Sequence, residues 1–304
     1  MPEQTPHTLQ WGAEALWQQL APLLPGLSVE VVHTIRSTNT ALLERARAVP
    51  DTSPNNNEVI VRRSVESGAF GRRAIDLQPC LLVAEHQTAG RGRQGRVWLS
   101  SPGASLTFSL ALPLTLSDWS GLSLVVGVAL AEALDGTPDR NAGAAPRIGL
   151  KWPNDLWLRG APDTTRKLGG ILIETVAAGA QRLAIIGIGL NVQRFEPTEV
   201  NTGFAPLGEL DTAASAPTVL ARIALPLVQA LQQFEREGFA PFAAGFAERD
   251  VLRGRSISTT LAEVPHGIAR GVSAQGALLV ETDAGIVPVS SGEVSVRLSP
   301  AAAA

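Results

Sequence analysis

Between Ser120 and Leu134 the chain is apolar almost all the way round a helical wheel, and a helix of that kind must be buried, here against a sheet. The rest of the sequence supplies the strands. Val29, Val31, His33 and Ile35 alternate as one face of a strand, Leu81–Glu85 read as a buried strand, and Leu106, Phe108, Leu110 and Leu112 alternate as another. Ile148–Lys151 and Asp155–Leu158 flank a Trp152-Pro153 turn. Leu168–Val176 and Leu183–Val192 are rich in β-branched residues and read as a hairpin. Helical spacing over Leu16, Leu20 and Leu23 stops at Pro25-Gly26, and Ala41 to Val49 reads as a helix ended by Pro50. Thr218 to Phe234 is helical in pattern, with Pro226 expected to kink or split it.

After Arg253-Gly254 the texture changes to short alternating runs separated by Gly, Asp and Ser, which predicts a small all-β domain, expected to be a barrel. The domains are therefore expected at 1–248 and 249–304. Within the first, 51–79 has the composition of a surface insertion, with a strand at Val59–Val61. The tail Pro300–Ala304 is expected to fray.

With 45% hydrophobic and 17% charged residues, the 304-residue chain can bury a sizeable core, which argues against wholesale disorder. A net charge of −3 gives no global reason for a nucleic-acid or membrane-surface partner, so basic chemistry must come from a local cluster. Cys80 is the single cysteine and enters an apolar run, which predicts a buried, inert thiol. No signal segment opens the chain and no apolar run is long enough to span a bilayer, so a cytoplasmic protein is the expectation.

The local basic cluster is Gln87-Thr88-Ala89-Gly90-Arg91-Gly92-Arg93-Gln94-Gly95-Arg96-Val97-Trp98. Glycines let the backbone wrap a ligand closely, and guanidinium forks pair with carboxylate or phosphate oxygens. Together they suit a loop that closes over an acyl-phosphate, with Trp98 as a flat face for a base or a shield from water. The same alternation also describes an RNA-binding Arg/Gly stretch. Such stretches lie in long disordered tails, whereas this one lies between two strands.

Two further constellations carry polar chemistry on strands. Lys151-Trp152-Pro153-Asn154-Asp155 holds three polar groups around a stiff turn, and Lys167 precedes Gly169-Gly170, where strand glycines point to a close approach; a surface lysine and an ordinary turn explain either motif alone equally well. Gly187 and Gly189, inside Ile186–Val192, repeat that feature, although tight sheet packing explains them nearly as well. Ser37-Thr38-Asn39 can cap a helix or offer hydroxyl and amide groups to a polar ligand head. No metal cage, Ser-His-Asp arrangement or Walker-type loop is present in the sequence.

In order, these blocks resemble the biotin protein ligase family, and Arg270-Gly271, Gln275–Leu279 and Gly292–Ser295 extend the resemblance through Val29 to Arg297. The resemblance implies an α/β catalytic domain on a mixed sheet, related to class II aminoacyl-tRNA synthetases, followed by a small SH3-like β-barrel. It implies an enzyme that uses ATP and Mg2+ to convert biotin to biotinyl-5′-AMP, then joins biotin to a lysine of a biotin carboxyl carrier domain of acetyl-CoA carboxylase or a related carboxylase.

Carried over by position, Ser37, Thr38, Asn39 and Gln87 would bind the ring system of biotin, with Gly90, Gly170 and Gly187 lining its pocket. Arg91, Gly92 and Arg93 would close over the carboxylate and the adenylate phosphate. Lys167 would contact that charged junction, and Arg93 and Lys167 are the catalytic candidates. Arg91, Arg93, Arg96, Trp98, Lys151, Asn154, Asp155, Asn191 and Arg270 would place the nucleotide, with Asp155 as a candidate contact for Mg2+. Arg36-Ser37 arrives too early for the helix-turn-helix domain of bifunctional members, so DNA binding is not expected. A ligand-promoted homodimer through sheet edges near the Gly/Arg loop is. Gln94 and Ser291 depart from the family's usual arginine and glycine.

Three alternatives stand beside the ligase: a lipoyl or octanoyl transferase of related fold, a DNA-binding biotin sensor, and a non-catalytic biotin-binding module.

Overall fold

The computed structural model describes residues 9–47, 78–116, 118–135, 145–160, 165–178, 181–195, 203–290 and 294–298. In chain order the elements are α1 (Ala13–Leu20), β1 (Ser28–Ile35), α2 (Thr38–Arg47), β2 (Cys80–Gln87), the short β3 (Gly90–Arg91) and β4 (Val97–Trp98), β5 (Ser105–Pro113) and α3 (Leu122–Asp135). They continue with β6 (Ile148–Lys151), β7 (Asp155–Arg159), β8 (Thr165–Ala178), β9 (Gln181–Asn191), α4 (Ala216–Glu237) and α5 (Ala243–Arg249). The last five are β10 (Ser256–Thr259), β11 (His266–Val272), β12 (Leu278–Thr282), β13 (Gly285–Val289) and β14 (Val296–Leu298). The expected insertion strand at Val59–Val61, the remainder of 51–77, Ser291–Glu293 and Pro300–Ala304 lie outside the described residues.

The larger sheet has seven strands in the order β1-β2-β5-β9-β8-β7-β6. β1 and β2 run parallel with α2 in their connection, whereas β2-β5, β5-β9, β8-β7 and β7-β6 are antiparallel, so the sheet is mixed. By internal contacts the chain forms two compact units. One is Met1–Thr115, Leu172–Val200 and Pro206–Leu225; the other is Leu116–Ile171, Asn201–Ala205 and Pro226–Ala304. Their boundary runs through β8 and α4, so it follows neither end of a regular element.

In the first unit, α2 lays Leu42, Leu43 and Ala46 on Cys80 and Leu82 of β2, Ala111 of β5, and Leu183 and Ile185 of β9. Burying a leucine contributes roughly 1.5–3 kcal/mol, so this stripe holds the helix to the sheet. Cys80 is a fully buried member of that core. The helix starts at Thr38, three residues before the expected Ala41, because Ser37 supplies the cap: its Oγ accepts from Thr40 N at 3.4 Å and its carbonyl from Ala41 N at 3.0 Å. Thr38 and Asn39 therefore lie inside the first turn, and both are buried.

In the second unit, α3 is buried on nearly every face, and Gly127 lets it approach the sheet: a Cβ there would lie 3.2 Å from Leu150 Cδ2. Arg249, fully buried, donates to Asp135 Oδ2 at 3.0 Å and to the carbonyl of Ile148 at 2.9 Å. This joins the ends of α3 and α5 to β6. α4, whose residues belong to the first unit up to Leu225 and to the second from Pro226, continues through Pro226 as one helix rather than splitting. Its stripe of Val219, Leu220, Ile223, Leu227, Val228, Leu231 and Phe234 is buried, which outweighs the ~3 kcal/mol penalty of an interior proline.

The C-terminal strands form an antiparallel sheet in the order β13-β12-β11-β10-β14. β13 and β14 are its edges. Among the described residues no pairing closes it into a barrel.

Candidate active site

The first unit gathers one group of the expected site residues around the β1–α2 junction. The first-turn N–H of Thr38 has no partner within its own helix and donates to Gln87 Oε1 at 2.8 Å; Thr38 Oγ1 lies 3.2 Å from the same oxygen. Ser109 Oγ, on β5, lies 2.6 Å from both Thr38 Oγ1 and Asn39 Oδ1. Asn39 Nδ2 donates to the carbonyl of Leu172 at 3.2 Å and to Glu174 Oε2 at 3.0 Å. Gln87, Thr38, Ser109 and Asn39 thus form one buried chain of neutral donors and acceptors. Gly187 makes room for it, since a Cβ at that position would lie 2.8 Å from Asn39 Cγ. The close approach anticipated at this glycine is made by a side chain of the protein itself.

The Gly/Arg segment folds back as a ribbon of two residues per strand, pairing Gly90 with Trp98 and Arg91 with Val97. Its tip, 92–96, is tied by Gly92 N donating to Arg96 O at 2.7 Å, and it turns through positive φ at Gln94 (55°) and Gly95 (71°). Gly189 is the seat of Trp98: a Cβ there would lie 2.7 Å from the indole nitrogen. Arg91 Nη2 donates to Glu174 Oε1 at 3.0 Å, and its Nη1 to Thr40 Oγ1 at 3.2 Å. Asn191 is buried and pairs with Ser105 across the β5–β9 ladder.

The second unit holds the other group, on one face of β6, β7 and β8. Asp155 pairs with Gly170 and Leu156 with Gly169, but Trp157 pairs with Lys167, so Leu168 is an extra residue in β8. Without that bulge the register would set Leu168 beside Trp157 and turn Lys167 to the opposite face. With it, Lys167 shares the face of Asp155 and Trp157, and Lys167 Nζ donates to Asp155 Oδ1 at 2.8 Å. Lys151, paired with Asp155 across β6–β7, holds its ammonium 5.3 Å from the centroid of the Trp157 ring system. The backbone of Lys167 is also fixed, since its N–H donates to Gly203 O (2.7 Å) and its carbonyl accepts from Ala205 N (3.0 Å). Asn154 Nδ2 donates to Ile171 O at 2.8 Å, which locks the turn to β8.

The Lys167–Asp155 pair is 28% and 17% exposed, a setting in which an ion pair adds only about 0–1 kcal/mol of stability. Its consequence is orientation. Arg270 lies on the C-terminal sheet and pairs with Glu281. Sequence reasoning missed Ser109, Thr40 and the part played by Glu174. Ser109 shows itself only as one of three alternating polar residues, with Ser105 and Thr107, in β5, and Thr40 carries no sequence signal. Among the described residues, no group of three or more His, Cys, Asp or Glu side chains is placed to hold a metal ion. No helix there is long and apolar enough to cross a membrane.

The sequence pattern of the Biotin/lipoate A/B protein ligase family matches residues 76–191, and that of the Biotin protein ligase C terminal domain matches residues 254–297. The chain is 33% identical over 251 residues to the biotin--[acetyl-CoA-carboxylase] ligase of Mycobacterium tuberculosis, covering 81% of this chain and 86% of that protein. The chain belongs to the biotin protein ligase family. Its likeness within the family extends to the bifunctional ligase/repressor BirA of Escherichia coli, 36% identical over 286 residues that make up 92% of this chain and 77% of that protein. In three dimensions it resembles the biotin protein ligase of Aquifex aeolicus solved in complex with biotin and ATP. The TM-score is 0.65 at 27% identity, over 89% of this chain and 99% of that one. The family's first pattern spans β2 to β9 and so takes in Gln87, the Gly/Arg loop, Ser109, Lys151–Asp155, Lys167 and Gly187.

Proposed function

We propose that the chain is an ATP-dependent ligase that forms biotinyl-5′-AMP and then transfers biotin to a lysine of a biotin carboxyl carrier domain. The observation that carries this reading is the buried neutral chain Gln87–Thr38–Ser109–Asn39 beside a loop of arginines. A buried array of uncharged donors and acceptors matches a neutral polar ring such as a cyclic urea, whose N–H and C=O groups satisfy it without bringing a charge out of water. Gln87 uses its carbonyl oxygen on Thr38, so its amide N–H groups are what it offers a ligand. The names of the relatives support the same chemistry, as does the Aquifex ligase complex with biotin and ATP.

In the proposed reaction a biotin carboxylate oxygen attacks the α-phosphorus of ATP, the bond to the β-phosphate breaks and pyrophosphate leaves. The ε-amine of the acceptor lysine then attacks the acyl carbon, AMP departs with the bridging oxygen, and the amine gives up a proton. Arg93 and Lys167 are the catalytic groups: both are cationic, and charge develops on phosphate oxygens in the first step. Arg91, Arg93, Arg96, Trp98, Lys151, Asn154, Asp155, Asn191 and Arg270 remain the nucleotide residues of the proposal, and Gly90, Gly92 and Gly170 let backbone approach the ligands. Mg2+ would arrive on the ATP phosphates. Asp155 is a fitting single carboxylate for it, because such ions keep few protein ligands.

An SH3-like barrel for the C-terminal strands, a synthetase-related catalytic sheet, domains at 1–248 and 249–304, a cytoplasmic setting and a ligand-promoted dimer belong to the same reading. Ultracentrifugation with and without biotin and ATP tests the last. The deciding experiment is incubation with biotin, Mg-ATP and a carrier domain, followed by mass spectrometry. A carrier whose mass stays unchanged would rule the ligase out. A lipoate enzyme is the second reading, because the matched family includes lipoate ligases. A dithiolane ring has no N–H or C=O to satisfy the buried polar chain, so calorimetry is expected to show biotin binding and lipoate not.

A further inference from the structure

We propose that Glu174 is a positioning residue that ties the neutral polar pocket to the Gly/Arg loop, an inference that rests on the ligase reading. Its carboxylate is shared. Oε2 accepts from Asn39 Nδ2 at 3.0 Å, and Oε1 accepts from Arg91 Nη2 at 3.0 Å.

Each contact fixes something its partner cannot fix alone. A carboxylate only accepts, so it dictates which end of the Asn39 amide faces β8 and thereby turns Oδ1 toward Ser109. The loop needs the other contact. A ribbon of two residues per strand does not hold itself together, so its position depends on outside anchors. Trp98 on Gly189 anchors the returning strand, and Arg91 on Glu174 and Thr40 anchors the outgoing one. The guanidinium of Arg91 is thus met by a carboxylate and directed toward β8 and α2. Glu174 divides the labour of the loop: Arg91 fixes where it begins, and Arg93 works from that fixed start.

The test compares wild type with Glu174→Gln, Glu174→Ala, Arg91→Ala and the double variant Glu174→Gln/Arg91→Ala, each checked by thermal melting. Two readouts are used: the rate of tryptic cleavage after Arg93 and Arg96 without ligands, and biotin-dependent ATP–pyrophosphate exchange. Glu174→Gln keeps an oxygen for Asn39 but loses the charge for Arg91. It is expected to raise cleavage about fivefold and lower kcat about threefold to tenfold, with KM for biotin within about twofold of wild type. Glu174→Ala also releases Asn39 and is expected to raise that KM about tenfold. The double variant is expected to match Arg91→Ala, because the two residues act as one unit. Cleavage and kcat unchanged in Glu174→Gln, or losses that multiply in the double variant, would overturn the proposal. Absence of exchange in wild type would instead sink the ligase reading, and the cleavage rates would then decide the role of Glu174 by themselves.

Discussion

The indole nitrogen of Trp152 donates a 3.0 Å hydrogen bond to the carbonyl oxygen of Gly276. Trp152 is fully buried in the turn that carries Lys151, Asn154 and Asp155, and Gly276 sits between β11 and β12. The C-terminal sheet thereby pins the turn that presents the polar face of β6 and β7. Gly276 has φ +81°, and a Cβ there would lie 2.8 Å from Gly121 Cα. Gly276→Ala therefore meets both a left-handed backbone and a clash with backbone. A destabilisation of about 2 kcal/mol or more is expected from urea denaturation. An alanine variant as stable as wild type would show that this contact does not pin the turn.

Arg93→Ala and Lys167→Ala are each expected to slow adenylation by two or more orders of magnitude, about 3 kcal/mol or above. Biotin-dependent ATP–pyrophosphate exchange measures this directly. Near wild-type rates in both variants would remove these residues from the catalytic role.

Ser109→Ala deletes the hydroxyl between Thr38 and Asn39 and leaves two buried polar groups short of a partner. The loss of one such bond is worth roughly 1–2 kcal/mol, so biotin affinity by calorimetry is expected to fall about tenfold. Glycine at this position is expected to behave like alanine, and threonine to recover part of the affinity.

Asp250 connects the two ideas of burial and pH. Desolvation pushes its carboxyl above the ordinary value, opposed by hydrogen bonds from the backbone of Leu252 and Arg253. The folded protein therefore holds this proton to higher pH than the unfolded chain does. The stability linked to it is fully present below the unfolded pKa, about 3.9, and is lost as pH rises through the raised folded value. Asp250→Asn keeps an oxygen for Leu252 N, which Oδ1 now accepts at 2.8 Å. Urea denaturation of the two proteins is expected to show the variant gaining on wild type between pH 4 and pH 7. A constant difference across that range would argue against the raised carboxyl.

Much of this was legible in residue order. The Gly/Arg loop declared itself by lying between two strand patterns, and the strand glycines declared that something would come close. What approaches Gly187 and Gly189 was not legible, because Asn39 and Trp98 are far from them in sequence and only the folded sheet brings them there. Ser109 gave no stronger sign than its polarity, since its role comes from register with α2 and not from its neighbours. The pattern predicts a start at Ala41, later than the observed Thr38, because Thr38 and Asn39 are poor helix interior residues, and their burial outweighs that preference. Glu174 was visible within a strand motif, yet its double contact depends on two distant segments meeting at β8.

The surplus leucine in β8 also has a meaning for how this strand can change over time. Alternation before and after Leu168 belongs to two different phases, so Lys167 and Gly170, three residues apart, share one face of the sheet. Losing a single residue there would leave a regular ladder with Lys167 still beside Asp155. A loss between Lys167 and the start of the strand would not disturb that relation either. An extra residue inserted after Gly170 would throw the carboxyl-terminal stretch, including Glu174, out of step with everything it touches.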